Sequence, residues 1–100
     1  MARARTDLHE VLLGLCNNVY YRAPESVKMV YPAIRYKKKK PDVKYANNKR
    51  YLTMNCYEIT VISREEDDPI NDALSELEFC EWDREYQSDT LEHNVYTLFF

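Results

Sequence analysis

Residues 51–64, YLTMNCYEITVISR, contain the pattern that most narrowly limits how this chain can fold. β-branched residues are dense in this run, and its side chains alternate: Tyr57, Ile59 and Val61 fall on one side, and Glu58, Thr60 and Ile62 on the other. Because successive side chains of a strand point to opposite faces, the alternation predicts a β-strand with two distinct faces. Its neighbouring strands in a sheet should come from the sequence segments before and after it.

The upstream residues predict further strands. Residues 29–36, MVYPAIRY, alternate in the same way, and Pro32 is allowed only at an edge or at the beginning of a strand. A short strand is predicted at residues 19–21. The two longer strands predict a long β-hairpin, whose arm and tip come from residues 35–50, RYKKKKPDVKYANNKR.

Two short amphipathic helices are predicted from apolar residues at helical spacing. The first covers residues 7–15, where Asp7 and Glu10 resemble a capping box. The second covers residues 69–77, with Asp68 as its N-cap. The apolar positions are Leu8, Val11, Leu12 and Leu15 in the first helix, and Ile70, Ala73, Leu74 and Leu77 in the second.

The C-terminal part predicts one more pair of strands. Residues 79–87, FCEWDREYQ, alternate between an aromatic set and an acidic set, which predicts a half-buried strand. Residues 88–94 are expected to turn the chain, and residues 95–100, VYTLFF, to return antiparallel to the preceding strand. The two expected faces are Cys80, Trp82, Arg84 and Tyr86 against Phe79, Glu81, Asp83 and Glu85.

Together these elements predict a single α+β domain over residues 1–100. It has a mostly antiparallel sheet with a long β-hairpin, and two short amphipathic helices packed on one face. A chain of 100 residues buries a small core, so partners would add to its stability. Charges interrupt the apolar runs, so no membrane span is expected. The N-terminus lacks the features of a signal peptide, and three widely spaced cysteines fit reduced thiols in a cytosolic protein.

Few residues suggest a catalytic, metal-binding or phosphate-binding site. His9 and His93 lack companions at the spacing that zinc requires, and a helix face and a turn account for them. Gly14 is the only glycine, which excludes a glycine-rich phosphate loop. The consecutive carboxylates at residues 65–68 are expected to favour a helix N-terminus and to face water. We therefore expect no enzymatic activity, no metal site and no cofactor.

Charge is divided unevenly along the chain. Residues 1–50 carry a net charge of +8 and residues 51–100 a net charge of −11, which gives −3 overall. Such a split favours head-to-tail association, in which one subunit's basic surface meets the next subunit's acidic surface. A chain whose two oppositely charged faces are merely solvated would show the same division of charge. The predicted subunit contacts are Arg35, Lys37, Lys38, Lys39 and Lys40 on the basic side and Glu65, Glu66, Asp67, Asp68, Glu81 and Asp83 on the acidic side.

The basic arm at residues 35–50 has three interpretations. It could bind nucleic acid through phosphate contacts, but the isoelectric point near 5.4 is low for a dedicated nucleic-acid binder. It could be a solvated hairpin tip, whose lysines discourage strand aggregation. It could also be an arm used in assembly, either against an acidic neighbour or against DNA in a channel. The residues named for channel contact are Lys44, Lys49 and Arg50.

Three long stretches of the chain carry a resemblance to a known class of protein. They are LHEVLLGLCNNVYYRAPESVKMVYPAIRY, NKRYLTMNCYEITVISREEDDPINDALSEL and YQSDTLEHNVYTLFF. In their order along the chain and in their local sequences, these stretches resemble the small tail-completion or tail-terminator proteins of long-tailed bacteriophages. None of the three stretches is a catalytic signature, and the lysine run departs from the mixed or acidic loop expected in this family.

The resemblance implies a structural virion protein made in the cytoplasm of a bacterial host. Such a subunit would form a homo-oligomeric ring, expected to be a hexamer, at the head-proximal end of the tail tube. The ring would stop tube polymerisation and join the tail to the head connector, so the tail tube protein and a head-closure protein would be its partners. A head-closure or connector component of the same neck is a close alternative, and a small nucleic-acid-binding protein is an alternative from another class.

Overall fold

The structure is a computed structural model that describes residues 4–22, 30–40, 55–65, 68–88 and 90–100. The described residues form two helices and one five-stranded sheet, which confirms the predicted α+β class. In chain order the elements are α1 (Arg5–Leu13), β1 (Val19–Tyr21), β2 (Ala33–Lys38), β3 (Cys56–Ser63), α2 (Pro69–Ser75), β4 (Cys80–Ser88) and β5 (Leu91–Phe99).

The strands lie in the order β1-β2-β3-β5-β4. β1 runs parallel to β2, and every other neighbouring pair is antiparallel. The strand predicted from alternation, β3, therefore lies at the centre of the sheet, where both of its faces are largely buried. This position explains its high content of β-branched residues, because a central strand packs its side chains on both faces.

Both helices pack on one face of the sheet, as predicted. The buried residues of α1 and α2 contact a single apolar cluster, to which β2, β3 and β5 contribute every second residue. We call this side of the sheet the helix face. Its core consists of Leu8, Leu12, Cys16, Ile34, Tyr36, Tyr57, Ile59, Val61, Ile70, Leu74, Tyr96, Leu98 and Phe100.

Helix α1 differs in its limits from the predicted helix at residues 7–15. It begins at Arg5 after Ala4, whose side chain makes no cap, so the expected capping box at Asp7 is wrong. Leu8 and Leu12 are completely buried, whereas Val11 is exposed. The helix thus presents a narrower apolar stripe than the predicted set of four positions.

Helix α2 begins as the sequence predicts. Asp68 is its N-cap, and the Oδ1 atom accepts a hydrogen bond from the Ile70 amide at 2.9 Å. The Oδ2 atom accepts a second bond from the hydroxyl of Ser63 at the end of β3, also at 2.9 Å. The Asp68 carboxylate therefore fixes the start of α2 to the central strand and is buried, contrary to the expectation that it faces water.

β4 is not the half-buried strand that was predicted. It lies at the sheet edge, and eight of its nine residues are exposed. The register with β5 shifts between Trp82 and Arg84, which marks a β-bulge at Asp83. Because a bulge inserts one extra residue, Cys80 and Trp82 share the helix face, whereas Arg84 and Tyr86 lie on the opposite face.

The hairpins also differ from expectation. β5 begins at Leu91, so residues 91–94 belong to a strand and not to the predicted turn. Only two residues separate β4 from β5, and Thr90 in this connection has a φ angle of 63°. β2 and β3 do pair antiparallel, from Ala33 with Ile62 to Lys38 with Tyr57. Of the predicted arm at residues 35–50, residues 41–50 lie outside the described residues, as do residues 51–54 that follow it.

Candidate assembly surface

A row of four alternating charges crosses the face of the sheet opposite the helices. Lys37 Nζ lies 3.5 Å from one carboxylate oxygen of Glu58, and Arg84 Nη2 lies 3.3 Å from the other. Arg84 Nη1 also contacts Asp83 at 2.7 Å. Strand order explains the row, because Glu58 on β3 pairs with Lys37 on β2, and β5 alone separates it from β4. The row therefore connects a residue of the predicted basic side with one of the predicted acidic side inside one subunit.

The other basic residues of β2 and its extension have different environments. Lys39 Nζ donates a hydrogen bond to Thr97 Oγ1 at 2.8 Å, so this lysine is bound within the subunit. Arg35 is half-buried, opposite Thr60 of β3. Lys38 and Lys40 are exposed. Of the five predicted basic contacts, these last two are the lysines best placed to meet another molecule.

The predicted acidic contacts are likewise divided. Glu65 and Glu81 are exposed, Asp83 belongs to the row of charges, and the Asp68 carboxylate caps α2. A buried carboxylate that already accepts two hydrogen bonds is a poor contact for a neighbouring lysine, so Asp68 is better assigned to stability. Five of the named residues lie outside the described part of the chain: Glu66, Asp67, Lys44, Lys49 and Arg50.

Charge is strongly separated across the described sheet. Residues 19–22 and 30–40, which contain β1 and β2, have six basic side chains and no acidic ones. Residues 68–88, which contain α2 and β4, have seven acidic side chains and one basic one. β2 and β4 are three strand spacings apart, about 14 Å. The Debye length is about 10 Å at 0.1 M salt, so the exposed charges of one end are largely screened from those of the other.

β4 also exposes two large aromatic side chains. Trp82 is 56% exposed and Tyr86 is 41% exposed. The Trp82 indole donates a hydrogen bond to Asn94 Oδ1 at 3.3 Å, and the Tyr86 ring stacks on His93 with the ring centroids 4.6 Å apart. Both rings are thus held against β5 while much of their surface faces solvent. His93 lies in β5 and is buried, not in the turn that its sequence context indicated.

A separate cluster of polar and aromatic groups lies under α1. Tyr36 accepts a hydrogen bond from Arg5 and contacts His9, and the Arg5 guanidinium lies 4.2 Å from the centre of the Tyr21 ring. The neighbouring Tyr57 hydroxyl is buried without a hydrogen bond of normal geometry. Burial raises the pKa of Tyr57, and Tyr21 and Tyr36 raise it further. The cluster is enclosed by the helix and serves to attach α1.

The three cysteines are free thiols, with Cys16 and Cys56 buried and Cys80 half-buried. Burial raises the pKa of Cys80 to about 11. Burial also raises the pKa of Cys56, against a smaller opposing effect of Lys39. A thiol with a raised pKa is largely protonated at neutral pH, where it is a weak nucleophile and a weak metal ligand.

The described residues contain neither a metal-binding group nor a membrane-spanning helix. No group of three or more histidine, cysteine, aspartate or glutamate side chains in these segments is arranged to hold a metal ion. None of the described helices has the length and apolar composition to cross a bilayer.

The chain matches no protein-family model, and no curated protein or solved structure is significantly similar to it.

Sequence reasoning missed Glu58 and Arg84, the two residues that join Lys37 to Asp83. Glu58 was assigned only a strand position, and Arg84 was placed on an aromatic face. The signal for Glu58 was present in the alternation, since it is the one charged residue within a strand of otherwise uncharged side chains. The position of Arg84 depends on the bulge at Asp83, and the sequence pattern gave no sign of that bulge.

Proposed function

We propose that this chain is a structural subunit that assembles with copies of itself into a ring, without enzymatic activity. The ring would belong to the neck of a long-tailed phage virion, where it ends growth of the tail tube and joins the tail to the head connector. The resemblance of three long stretches to tail-terminator proteins supports this assignment. The small α+β fold agrees with what that resemblance implies.

The observation that carries the proposal is the charge separation across the sheet. One end, with β1 and β2, is uniformly basic in the described residues, and the other, with α2 and β4, is almost uniformly acidic. A subunit with opposite charges at opposite ends suits heterologous contacts, in which a surface of one copy meets a different surface of the next. Such contacts generate closed rings when the rotation between copies closes.

Each charged end has some side chains that are paired within the subunit and others that are exposed. Within the subunit, Lys37 and Lys39 are bound to Glu58 and Thr97, and Asp83 is bound to Arg84. These contacts fix part of each charged end, whereas Lys38, Lys40 and other exposed side chains project from it. Charge complementarity of this kind sets the register and the encounter rate of copies more than the final affinity.

The axial partners follow from the proposed position in the neck. A terminator ring would contact the tail tube protein below and a head-closure or connector protein above. A role as the head-closure component itself would use the same ring and the same contacts between copies. Addition of the purified protein to a growing tail tube distinguishes the two, because only a terminator shortens the tubes.

A nucleic-acid-binding protein is the second candidate, and the exposure of Lys38 and Lys40 favours it. Phosphate contacts by these lysines would be independent of sequence and would weaken steeply with salt. Titration with a short DNA duplex at two salt concentrations tests this function. Binding of the monomer, with no ring formed, would favour the second candidate.

The test of the proposed function is the molar mass in solution, measured by light scattering at low and high salt, with negative-stain images of the same samples. We expect closed rings at low salt and smaller species at high salt, because screening weakens contacts between exposed charges. Monomers at low salt that also fail to affect the length of tail tubes would contradict the proposal.

A further inference from the structure

The outer edge of β4 has the properties of a strand-addition site. It is a nine-residue strand that pairs with β5 on one side, and no described strand pairs on its other side. Edge strands present backbone N–H and C=O groups that can pair with another chain. The carbonyl of Phe79 accepts from the amide of Phe99, so alternation directs the backbone groups of Cys80 and Trp82 to the outer edge.

A second copy could not use the same edge without repulsion. The central residues of β4 include Glu81, Asp83 and Glu85, with Arg84 as the single basic residue. Two β4 strands paired about a two-fold axis would therefore bring acidic strands together. Like charges directly opposite each other in a sheet are destabilising, so a basic strand suits this edge better than a second copy of β4.

The basic end of the sheet offers such a strand. Among the described residues, β1 pairs with β2 only at Ile34, Arg35 and Tyr36, so β2 extends past the described end of β1. The Ile34 amide donates to Asn18 and the Tyr36 carbonyl accepts from Arg22, which shows that even-numbered residues of β2 direct their backbone groups to this side. By the same alternation, Lys38 directs its backbone to the outer edge beyond β1.

The side chains of the two edges also match in direction. Lys38 shares the helix face with Tyr36, by its spacing of two residues. Glu85 lies opposite Asn94, which shares the helix face with Tyr96. A sheet that continued from one copy to the next, with helices on the same side, would bring Lys38 and Glu85 to one surface.

We propose that the outer edge of β4 in one copy pairs with the outer edge of residues 37–40 in the next copy, so that the sheet runs on between subunits. The inference rests on the proposed ring and names its contact. The interface is heterologous, with an acidic edge against a basic edge, and it buries part of the exposed Trp82 side chain. Lys38 and Glu85 form a charge pair across it, in which either reversal creates repulsion.

Sedimentation velocity over a concentration series at low salt tests the contact with matched charge reversals. The variants are Glu85→Lys, Lys38→Glu, and the two changes combined. Glu10→Lys is the control, since it makes the same change of charge at an exposed residue of α1, which belongs to neither edge strand. We expect each single reversal at the edges to raise the dissociation constant of the assembly about tenfold or more. The dissociation constant of the combined variant should lie within about threefold of that of the unchanged protein. The control should have the same dissociation constant as the unchanged protein.

The results distinguish failure of the proposed β4 contact from failure of the proposed ring. Rings that form equally well in Glu85→Lys and Glu10→Lys would overturn the β4 contact while leaving the ring intact. An unchanged protein that stays monomeric at low salt and also fails to shorten tail tubes would overturn the contact and the ring together. Hydrogen exchange gives a second measurement, because β4 amides that gain no protection when rings form would also overturn the contact.

Discussion

The hydroxyl of Tyr36 lies 2.7 Å from the Nδ1 atom of His9, and this contact joins the sheet to α1. Arg5 donates a hydrogen bond to the same hydroxyl at 3.3 Å. Tyr36 is 1% exposed, so water has little access to its side chain. The position of α1 therefore depends on one buried oxygen atom as well as on apolar packing.

Removal of that oxygen should destabilise the protein. For Tyr36→Phe we expect a loss of about 1–2 kcal/mol in the free energy of unfolding, because both Arg5 and His9 lose a partner. Urea denaturation followed by circular dichroism measures this loss. Tyr57→Phe is the matched control, since it removes the same atom from a buried ring that makes no normal hydrogen bond. The control should change the free energy of unfolding by less than about 0.5 kcal/mol. Equal losses in the two variants would contradict a stabilising role for the contacts of the Tyr36 hydroxyl with Arg5 and His9.

The Asp68 carboxylate should be a major source of stability for α2. Asp68→Ala removes the cap of the Ile70 amide and leaves the Ser63 hydroxyl without its acceptor. We expect a loss of about 1–3 kcal/mol. Asp72→Ala changes an exposed carboxylate in the first turn of the same helix and should cost less than half as much. A difference of this size is measurable by urea denaturation, and equal effects would show that helix charge, not capping, matters.

The parts of the fold that could be predicted are those with a strong local pattern. β3 was predicted because its alternating side chains require two faces, and α2 because Asp68 and Pro69 mark a helix start. β4 has an equally regular alternation, yet its predicted burial was wrong. Burial depends on what packs against a strand, and an edge position is decided by strand order and not by local sequence.

The candidate surface could be predicted only in outline. The charge separation follows from sequence alone, and the structure places its two parts at opposite ends of the sheet. The contacts of Lys37 with Glu58, and of Glu58 with Arg84, could not be predicted, because they depend on β3, β5 and β4 being consecutive neighbours. Residue pairs that are distant in sequence become neighbours only through the sheet order.

Stability should fall in alkaline solution. The pKa of Cys80 is raised by burial from 9.0 to about 11, and burial also raises the pKa of Tyr96. A group with a higher pKa in the folded state stabilises the fold below its unfolded pKa, and that contribution is lost as pH rises through the folded value. We therefore expect the urea midpoint to be constant near neutral pH and to decrease from about pH 9 to pH 11.

Substitution of the thiol tests this cause. Cys80→Ser should flatten the decrease in the urea midpoint between pH 9 and pH 11, since serine does not titrate there. A decline in Cys80→Ser identical to that of the unchanged protein would assign the pH dependence to other groups. Alkylation by iodoacetamide gives a direct measure, because the native Cys80 thiol should react much more slowly at pH 8 than in unfolded protein.

Trp82 is the single tryptophan of the chain and reports directly on the β4 edge. Its indole is held by Asn94 but is 56% exposed, so the isolated subunit should show emission at long wavelength and efficient quenching by acrylamide. Pairing of β4 with the next copy would remove solvent from this ring. We expect a shift to shorter wavelength and weaker quenching as protein concentration rises at low salt. Glu85→Lys should remain quenchable at every concentration, and rings with fully quenchable Trp82 would place the contact between copies elsewhere.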